Sequence, residues 1–251
     1  MTPADLAEPV RRLAERAGDA ILAIYGQPFD TVAKADGSPV TAADLAADRI
    51  ICAGLAELTP DVQIVSEERV GSAPPAPAAR FWLVDPLDGT REFVVRNGEF
   101  TVNIALIENG VPLLGCIHIP VTAETYLGWL PDQARGWRRG TGCAITARMP
   151  PSSGMVAVAS RHNRDAETDR ILAENQVQDV LSVGSALKFC RVAEGAADIY
   201  PRFGPTCEWD TAAGHALVVA AGGSVTAWDG GPLTYGKPGF RNPGFIVRGR
   251  R

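Results

Sequence analysis

The chain has 251 residues, 46% of them hydrophobic and 21% charged, with a formal net charge of −5. This is the balance of a soluble globular protein with one large domain or two medium ones, and it excludes disorder, a basic nucleic-acid groove and a basic membrane patch. The five cysteines (Cys52, Cys116, Cys143, Cys190, Cys207) are odd in number and form no C-x-x-C pair, so neither a zinc site nor a disulfide framework is indicated.

Leu6, Val10, Leu13, Ala17, Ile21 and Ile24 recur at spacings of three and four, which predicts an amphipathic helix over residues 3–25, closed by Gly26. Residues 34–40 read as a turn, and Thr41 and Asp44 open a second helix running to about Leu58. Thr41 and Asp44 carry two readings, an N-cap with an acidic partner that needs no chemistry, or part of a site. Residues 63–66 predict a short strand delivering Glu67 and Glu68 at its end. Such a pair is either solvated or a ligand source, since α/β sites collect ligands at strand ends. The proline-rich residues 71–80 predict a semi-extended, mobile loop beside the site.

The central stretch is Phe81-Trp82-Leu83-Val84-Asp85-Pro86-Leu87-Asp88-Gly89-Thr90. Its apolar run predicts a buried strand ending at Asp85, and Pro86 starts a turn that keeps Asp85 and Asp88 close together. Two carboxylates in one small region repel unless a cation sits between them, and hard oxygen ligands favour Mg²⁺. Gly89 permits a close backbone approach, and Thr90 stands where a helical turn would begin, so its N–H and hydroxyl suit a phosphate oxygen. Arg91 and Glu92 read as surface charges or as neighbours of that phosphate.

Beyond it, residues 101–107, 111–119 and 125–130 alternate as antiparallel strands with Asn109-Gly110 as a tight hairpin turn, and residues 136–138 add another. From about residue 150 strands alternate with helices: strands 155–160, 180–183 and 198–203, helices 165–175, 186–194 and 210–221, and closing strands near Val225 and Ile246. The fold class expected is α/β, with an α+β domain over residues 1–149 and an α/β domain with parallel pairing over 150–251 that closes the site.

In the second half, Asp210 opens an Ala-rich helix, as an N-cap, as a metal ligand from across the junction, or as both. Of the histidines, His118, His162 and His215, none stands at ligand spacing, and His215 reads as structural. Ser160 to Asn163 follow a strand, and Gly184-Ser185-Ala186-Leu187-Lys188 opens a helix after another; both suit an anionic group, or are solvated surface.

Glu67-Glu68, Asp85-Pro86-Leu87-Asp88-Gly89-Thr90 and Trp209-Asp210-Thr211-Ala212-Ala213-Gly214-His215, in that order, resemble the lithium-sensitive, Mg²⁺-dependent phosphatases of the inositol monophosphatase superfamily. The match covers essentially the whole chain. The strings 90–93, 96–103, 187–190 and 200–206 are similar to its bacterial CysQ-type branch, the 3′(2′),5′-bisphosphate nucleotidases. The resemblance implies a layered α/β/α/β/α sandwich. It implies that Glu67, Asp85 and the Leu87 carbonyl hold one Mg²⁺ and that Asp85, Asp88 and Asp210 hold a second, with a third left open. It further implies that Gly89 and Thr90 cradle the scissile phosphate, with Leu87, Asp88 and Asp210 also binding substrate, and that Asp44 with Thr90 orients or activates a water, Glu67 being the other catalytic residue. Lys188 and Ser185, with Arg161 or His162 as helpers, are expected to take the distal part of the nucleotide.

The implied activity removes the 3′-phosphate of adenosine 3′,5′-bisphosphate to give AMP, a reaction linked to sulfate assimilation. The alternatives are an inositol or other small sugar-phosphate phosphatase and a non-catalytic, metal-dependent phosphate-binding protein. The expected partner is a small phosphate substrate and not a nucleic acid polymer. With no apolar stretch long enough to span a bilayer, the expected location is cytoplasmic, with peripheral contact to the inner membrane face left open. The expected state is a monomer or a weak homodimer.

Overall fold

The computed structural model describes residues 1–28, 31–33, 39–71, 76–138, 140–159 and 165–250. Helix α1 (Pro3–Tyr25) starts at a capping box: the Thr2 hydroxyl accepts the Asp5 N–H at 3.3 Å, and the Asp5 carboxylate accepts the Thr2 N–H at 2.9 Å. It buries Leu6, Val10, Leu13, Ala17 and Ile21, the face its spacing predicts. Its last turn holds no basic residue, and Arg96 supplies one from a distance, donating to the carbonyls of Tyr25 at 2.5 Å and Gln27 at 2.7 Å.

Strands β1 (Thr31–Ala33) and β2 (Pro39–Thr41) form an antiparallel hairpin that runs directly into α2 (Ala42–Leu58). The predicted turn over 34–40 lies partly outside the described residues, and its last two positions belong to β2 instead. The expected loop at 71–80 is likewise described only in part, and its final residue begins β4.

Strand β3 (Gln63–Ser66) pairs in parallel with β4 (Arg80–Asp88), and the short helix α3 (Thr90–Val94) follows. Strands β5 (Thr101–Glu108), β6 (Val111–Ile119), β7 (Glu124–Trp129), β8 (Gln133–Arg138) and β9 (Thr141–Ala144) then complete a seven-stranded sheet in chain order, each antiparallel to the one before. Asn109 (φ 51°) and Gly110 (φ 78°) are the two left-handed residues that the hairpin between β5 and β6 demands. Strand β9 is exposed along its whole length, so no apolar alternation announces it in the sequence.

The second sheet has the order β11-β10-β12-β14-β13. It is built from β10 (Met155–Ala159), α4 (Ala166–Glu174), β11 (Val177–Ser182), α5 (Leu187–Ala193), β12 (Ile199–Arg202), α6 (Ala212–Ala220), β13 (Ser224–Ala227) and β14 (Phe245–Arg248). Strand β10 is parallel to β11 and β12, as strand–helix alternation predicts, but β14 is antiparallel to β12 and β13. Parallel pairing therefore fails at that edge, because no α-helix lies between β13 and β14 to carry the chain back.

Three apolar clusters fix the layer order. One packs α1 and α2 on the face of the first sheet that carries Trp82, Val84, Ile104 and Leu106. The second fills the opposite face, where Phe81, Leu83, Ala105 and Ile107 meet α5, α6 and the inner face of the second sheet at Val158, Tyr200 and Val247. The third places Ile171 and Leu172 of α4 on that sheet's outer face. This is the expected α/β/α/β/α layering.

Helix α6 lies unusually close to the first sheet. Ala105, Gly115 and Gly128 form a row across β5, β6 and β7. A Cβ on Gly115 would stand 2.1 Å from the Ala213 carbonyl oxygen, and one on Gly128 2.6 Å from the Leu217 Cα. On its other side, a Cβ on Gly214 would stand 2.2 Å from the Phe189 ring. The small residues at 212–214 are thus explained by packing, and that packing sets where the start of the helix lies.

Candidate active site

Strand β4 continues past Asp85 to Asp88 rather than ending at the proline. In a regular strand residues three apart point to opposite faces. Here Asp85 pairs with Asn103 and Asp88 with Thr101, so β4 advances three residues while β5 advances two. The bulge turns both carboxylates to the same face, and Pro86, lacking an N–H, costs no ladder bond there. Asp85 is buried, and its Oδ1 accepts the Leu87 N–H at 3.1 Å.

Glu67 continues from β3, its N–H donating to the Val84 carbonyl at 3.1 Å. Asp210 ends a 3₁₀ turn (Glu208–Asp210) directly before α6, and its Oδ2 accepts the Cys207 N–H at 2.8 Å. One carboxylate oxygen from each of Glu67, Asp85 and Asp210 lies within 4.8 Å of the others. Burial, reinforced by Asp88 and Glu67, pushes the Asp210 carboxyl up to about 8. Three convergent carboxylates, one with its anion this strongly disfavoured, are a donor set suited to a hard divalent cation.

Asp88 stands outside that group, though it is near enough to act on Asp210. Its Oδ2 accepts the Ser185 hydroxyl at 2.7 Å, and Asn103 Nδ2 and Thr101 Oγ1 approach the same atom at 3.4 and 3.5 Å. Ser185 holds this position with a left-handed φ of 52° and also reaches the Asp88 carbonyl at 3.0 Å. The contact joins the two halves of the chain, and the Glu99 carboxylate adds another by accepting the Gly184 N–H at 2.8 Å.

Gly89, at φ 90°, caps the N-terminus of α3 and places Thr90 as its first residue. The Thr90 hydroxyl lies 3.3 Å from Asp44 Oδ1 and 3.4 Å from the Leu87 carbonyl oxygen. Asp44 is also the N3 partner of the Thr41 cap, its Oδ2 accepting the Thr41 N–H and hydroxyl at 2.7 and 2.8 Å. Both readings of Asp44, cap and site residue, are therefore compatible in one geometry.

A cavity of about 150 Å³ opens beside Asp88, Gly89 and Asp210, with Ser185, Lys188, Tyr200 and Arg202 also on its walls. Lys188 is buried, donates to the Ser185 carbonyl at 2.6 Å and sits 5.6 Å from the Tyr200 ring centroid. Burial pushes its ammonium down to about 8, against the pull of Asp88. Tyr200, Arg202 and Thr206 carry no site role in the sequence, where their signal is membership of the 200–206 string; here they lie at and just beyond the end of β12 on the cavity wall. Glu92 lines the cavity, whereas Arg91 is exposed. Ser160, Arg161, His162 and Asn163 lie outside the described residues. His118 and His215 are structural: His118 Nδ1 pairs with the Thr125 hydroxyl at 2.9 Å and His215 Nδ1 with the Tyr235 hydroxyl at 3.0 Å.

Comparison with known proteins agrees with this geometry. A model of the inositol monophosphatase family matches residues 3–244. The 3′(2′),5′-bisphosphate nucleotidase CysQ of Escherichia coli (strain K12) is 48% identical over 248 residues, covering 96% of this chain and 98% of that protein. Among solved structures, CysQ from Bacteroides thetaiotaomicron superposes with a TM-score of 0.83 at 39% identity, covering 98% of both chains. An inositol monophosphatase from Anabaena superposes with a TM-score of 0.76 at 26% identity, covering 98% of this chain and 91% of that one. The chain belongs to the inositol monophosphatase family.

Proposed function

We propose that the protein is a Mg²⁺-dependent phosphatase that removes the 3′-phosphate of adenosine 3′,5′-bisphosphate to give AMP and phosphate, a step linked to sulfate assimilation. The observation that carries this reading is the pairing of a carboxylate cluster with a cavity that also presents Lys188 and Arg202. A monophosphate needs only the first feature. A bisphosphate nucleotide brings a second anionic group and a flat base, for which two buried-side cations and Tyr200 are suited partners.

Glu67, Asp85 and Asp210 would hold the metal, with the Leu87 carbonyl and Asp88 as the remaining candidates and a second or third ion as part of the proposal. When bound, the metal supplies positive charge that acidifies a water and offsets charge on the phosphoryl group. The chain's own residues do the positioning. Asp44, fixed at Oδ2 by Thr41, accepts the Thr90 proton at Oδ1, so the Thr90 oxygen turns a lone pair outward to accept a hydrogen from the attacking water. Gly89 leaves room for the scissile phosphate, whose oxygens meet the Gly89 and Thr90 amides. Ser185 holds Asp88 in place, and Lys188 and Arg202 bind the second anionic group. The water is delivered in line, and no covalent enzyme intermediate is required.

The test is phosphate release from adenosine 3′,5′-bisphosphate, inositol 1-phosphate and fructose 1,6-bisphosphate in parallel, with Mg²⁺, with chelator and with added Li⁺. Preference for the nucleotide, lost in chelator and inhibited by Li⁺, is expected. Preference for inositol 1-phosphate would overturn the substrate and keep the metal site. Nucleotide binding without release from any of the three would replace catalysis by binding.

A further inference from the structure

Asp48 stands one helical turn beyond Asp44 on α2, and the mechanism does not use it. It is 5% exposed, a costly place for a carboxylate unless its oxygens are satisfied. Its Oδ1 accepts the Ser66 hydroxyl at 2.6 Å and the Cys52 thiol at 3.3 Å; its Oδ2 accepts Arg69 Nε at 2.8 Å. Two of those three donors, Ser66 and Arg69, bracket the pair Glu67-Glu68. The segment between them is itself a turn, with the Arg69 and Val70 N–H groups both donating to the Ser66 carbonyl at 3.0 Å.

We propose that Asp48 is a positioning residue for Glu67: from the rigid frame of α2 it clamps the turn on both sides of Glu67 and so holds that carboxylate within reach of Asp85 and Asp210. The proposal rests on Glu67 being a metal ligand, as proposed above. The physical reason is specific. The Glu67 N–H donates to the Val84 carbonyl at the point where β3 ends. Past that point the chain leaves the ladder for a turn, and where a Glu carboxylate with three rotatable bonds can reach depends on where that turn holds its backbone. A carboxylate that grips the residue before and the residue two after removes the backbone part of that freedom. One helix thereby sets two parts of the site, Thr90 through Asp44 and Glu67 through Asp48.

Partners that orient a metal ligand affect affinity by about ten- to a hundredfold when removed. Asp48→Asn, Arg69→Met, Cys52→Ala and Glu67→Gln would be compared by calorimetric titration of Mg²⁺ into the chelator-stripped protein, alongside thermal midpoints in chelator and turnover as a function of Mg²⁺. The Arg69 side chain is 52% exposed, so its removal reads the clamp without opening the core, should Asp48→Asn fold poorly. Mg²⁺ affinity about tenfold or more weaker in Asp48→Asn and Arg69→Met, turnover restored towards wild type by excess Mg²⁺, and unchanged affinity in Cys52→Ala would bear the proposal out. Wild-type affinity in Arg69→Met with weakened affinity in Glu67→Gln would overturn it and leave the ligand assignment intact. Wild-type affinity in Glu67→Gln would overturn the ligand assignment and this proposal with it.

Discussion

The Thr90 hydroxyl meets Asp44 Oδ1 at 3.3 Å across 46 positions of chain, joining the start of α3 to the first turn of α2. Because Asp44 also completes the Thr41 cap, stability and catalysis separate by variant. Thr41→Ala should cost about 1 kcal/mol of stability and leave turnover within a few fold. Thr90→Val should lower turnover by about two orders of magnitude or more, with a smaller change in urea midpoint. Equal turnover in the two variants would sink the water-orienting role.

Asp210 is half-buried beside Asp88 and Glu67, so the metal-free site carries like-charge repulsion. Asp210→Asn should raise the melting temperature in chelator and abolish most of the further rise that Mg²⁺ gives the wild type. Scanning calorimetry of both proteins with and without Mg²⁺ decides this; a lower midpoint for Asp210→Asn in chelator is the opposite of what the geometry demands.

Gly115→Ala puts a methyl group where the Ala213 carbonyl oxygen already lies, and backbone on backbone cannot swing aside. The expected cost is about 1–3 kcal/mol, with α6 displaced. Since only Thr211 separates Asp210 from the start of α6, weaker Mg²⁺ binding should accompany the loss. Isothermal denaturation and Mg²⁺ titration of the same preparation would show the two effects together.

Burial holds the His118 imidazolium down at about 4, against an ordinary value of 6.5. The folded state thus binds fewer protons than the unfolded chain between those values. Stability from this group is fully present above pH 6.5 and lost as pH falls from 6.5 towards 4, on the order of 3 kcal/mol in total. His118→Asn should flatten the unfolding free energy over that window, and an unchanged slope would assign the acid sensitivity elsewhere.

Lys188 offers a second pH signature, in binding rather than stability. With its ammonium near 8, the Lys188 cation is lost above that pH. KM for adenosine 3′,5′-bisphosphate should rise above pH 8 in the wild type. In Lys188→Ala it should be raised throughout, by more than KM for a simple monophosphate. Equal effects on both substrates would remove Lys188 from the distal subsite.

Elements with strong local signals are legible in the order of residues alone. The 3–4 spacing of α1, the Asn109-Gly110 hairpin and the alternation of strands and helices beyond residue 150 are properties of neighbouring residues, and they survive folding unchanged. The carboxylates were legible as well, because Asp85, Asp88 and Thr90 fall within one short stretch of chain. Exposed β9 was not, since it leaves no apolar period, and the antiparallel direction of β14 was not, since an apolar run marks a strand without saying which way it pairs.

What the site residues do to one another depends on contacts between distant segments. The bulge that turns Asp85 and Asp88 to one face is a matter of register against β5, and the same four letters in a regular strand would have split them. Asp210 reaches Glu67 and Asp85 because glycines on β6 and β7 let α6 press onto the sheet, a contact between segments far apart in sequence. Ser185 holding Asp88, and Asp48 gripping both sides of Glu67, are hydrogen bonds across 97, 18 and 21 positions. Sequence patterns report what each segment buries; which polar groups then meet depends on how the layers stack, and that is set by packing over the whole chain.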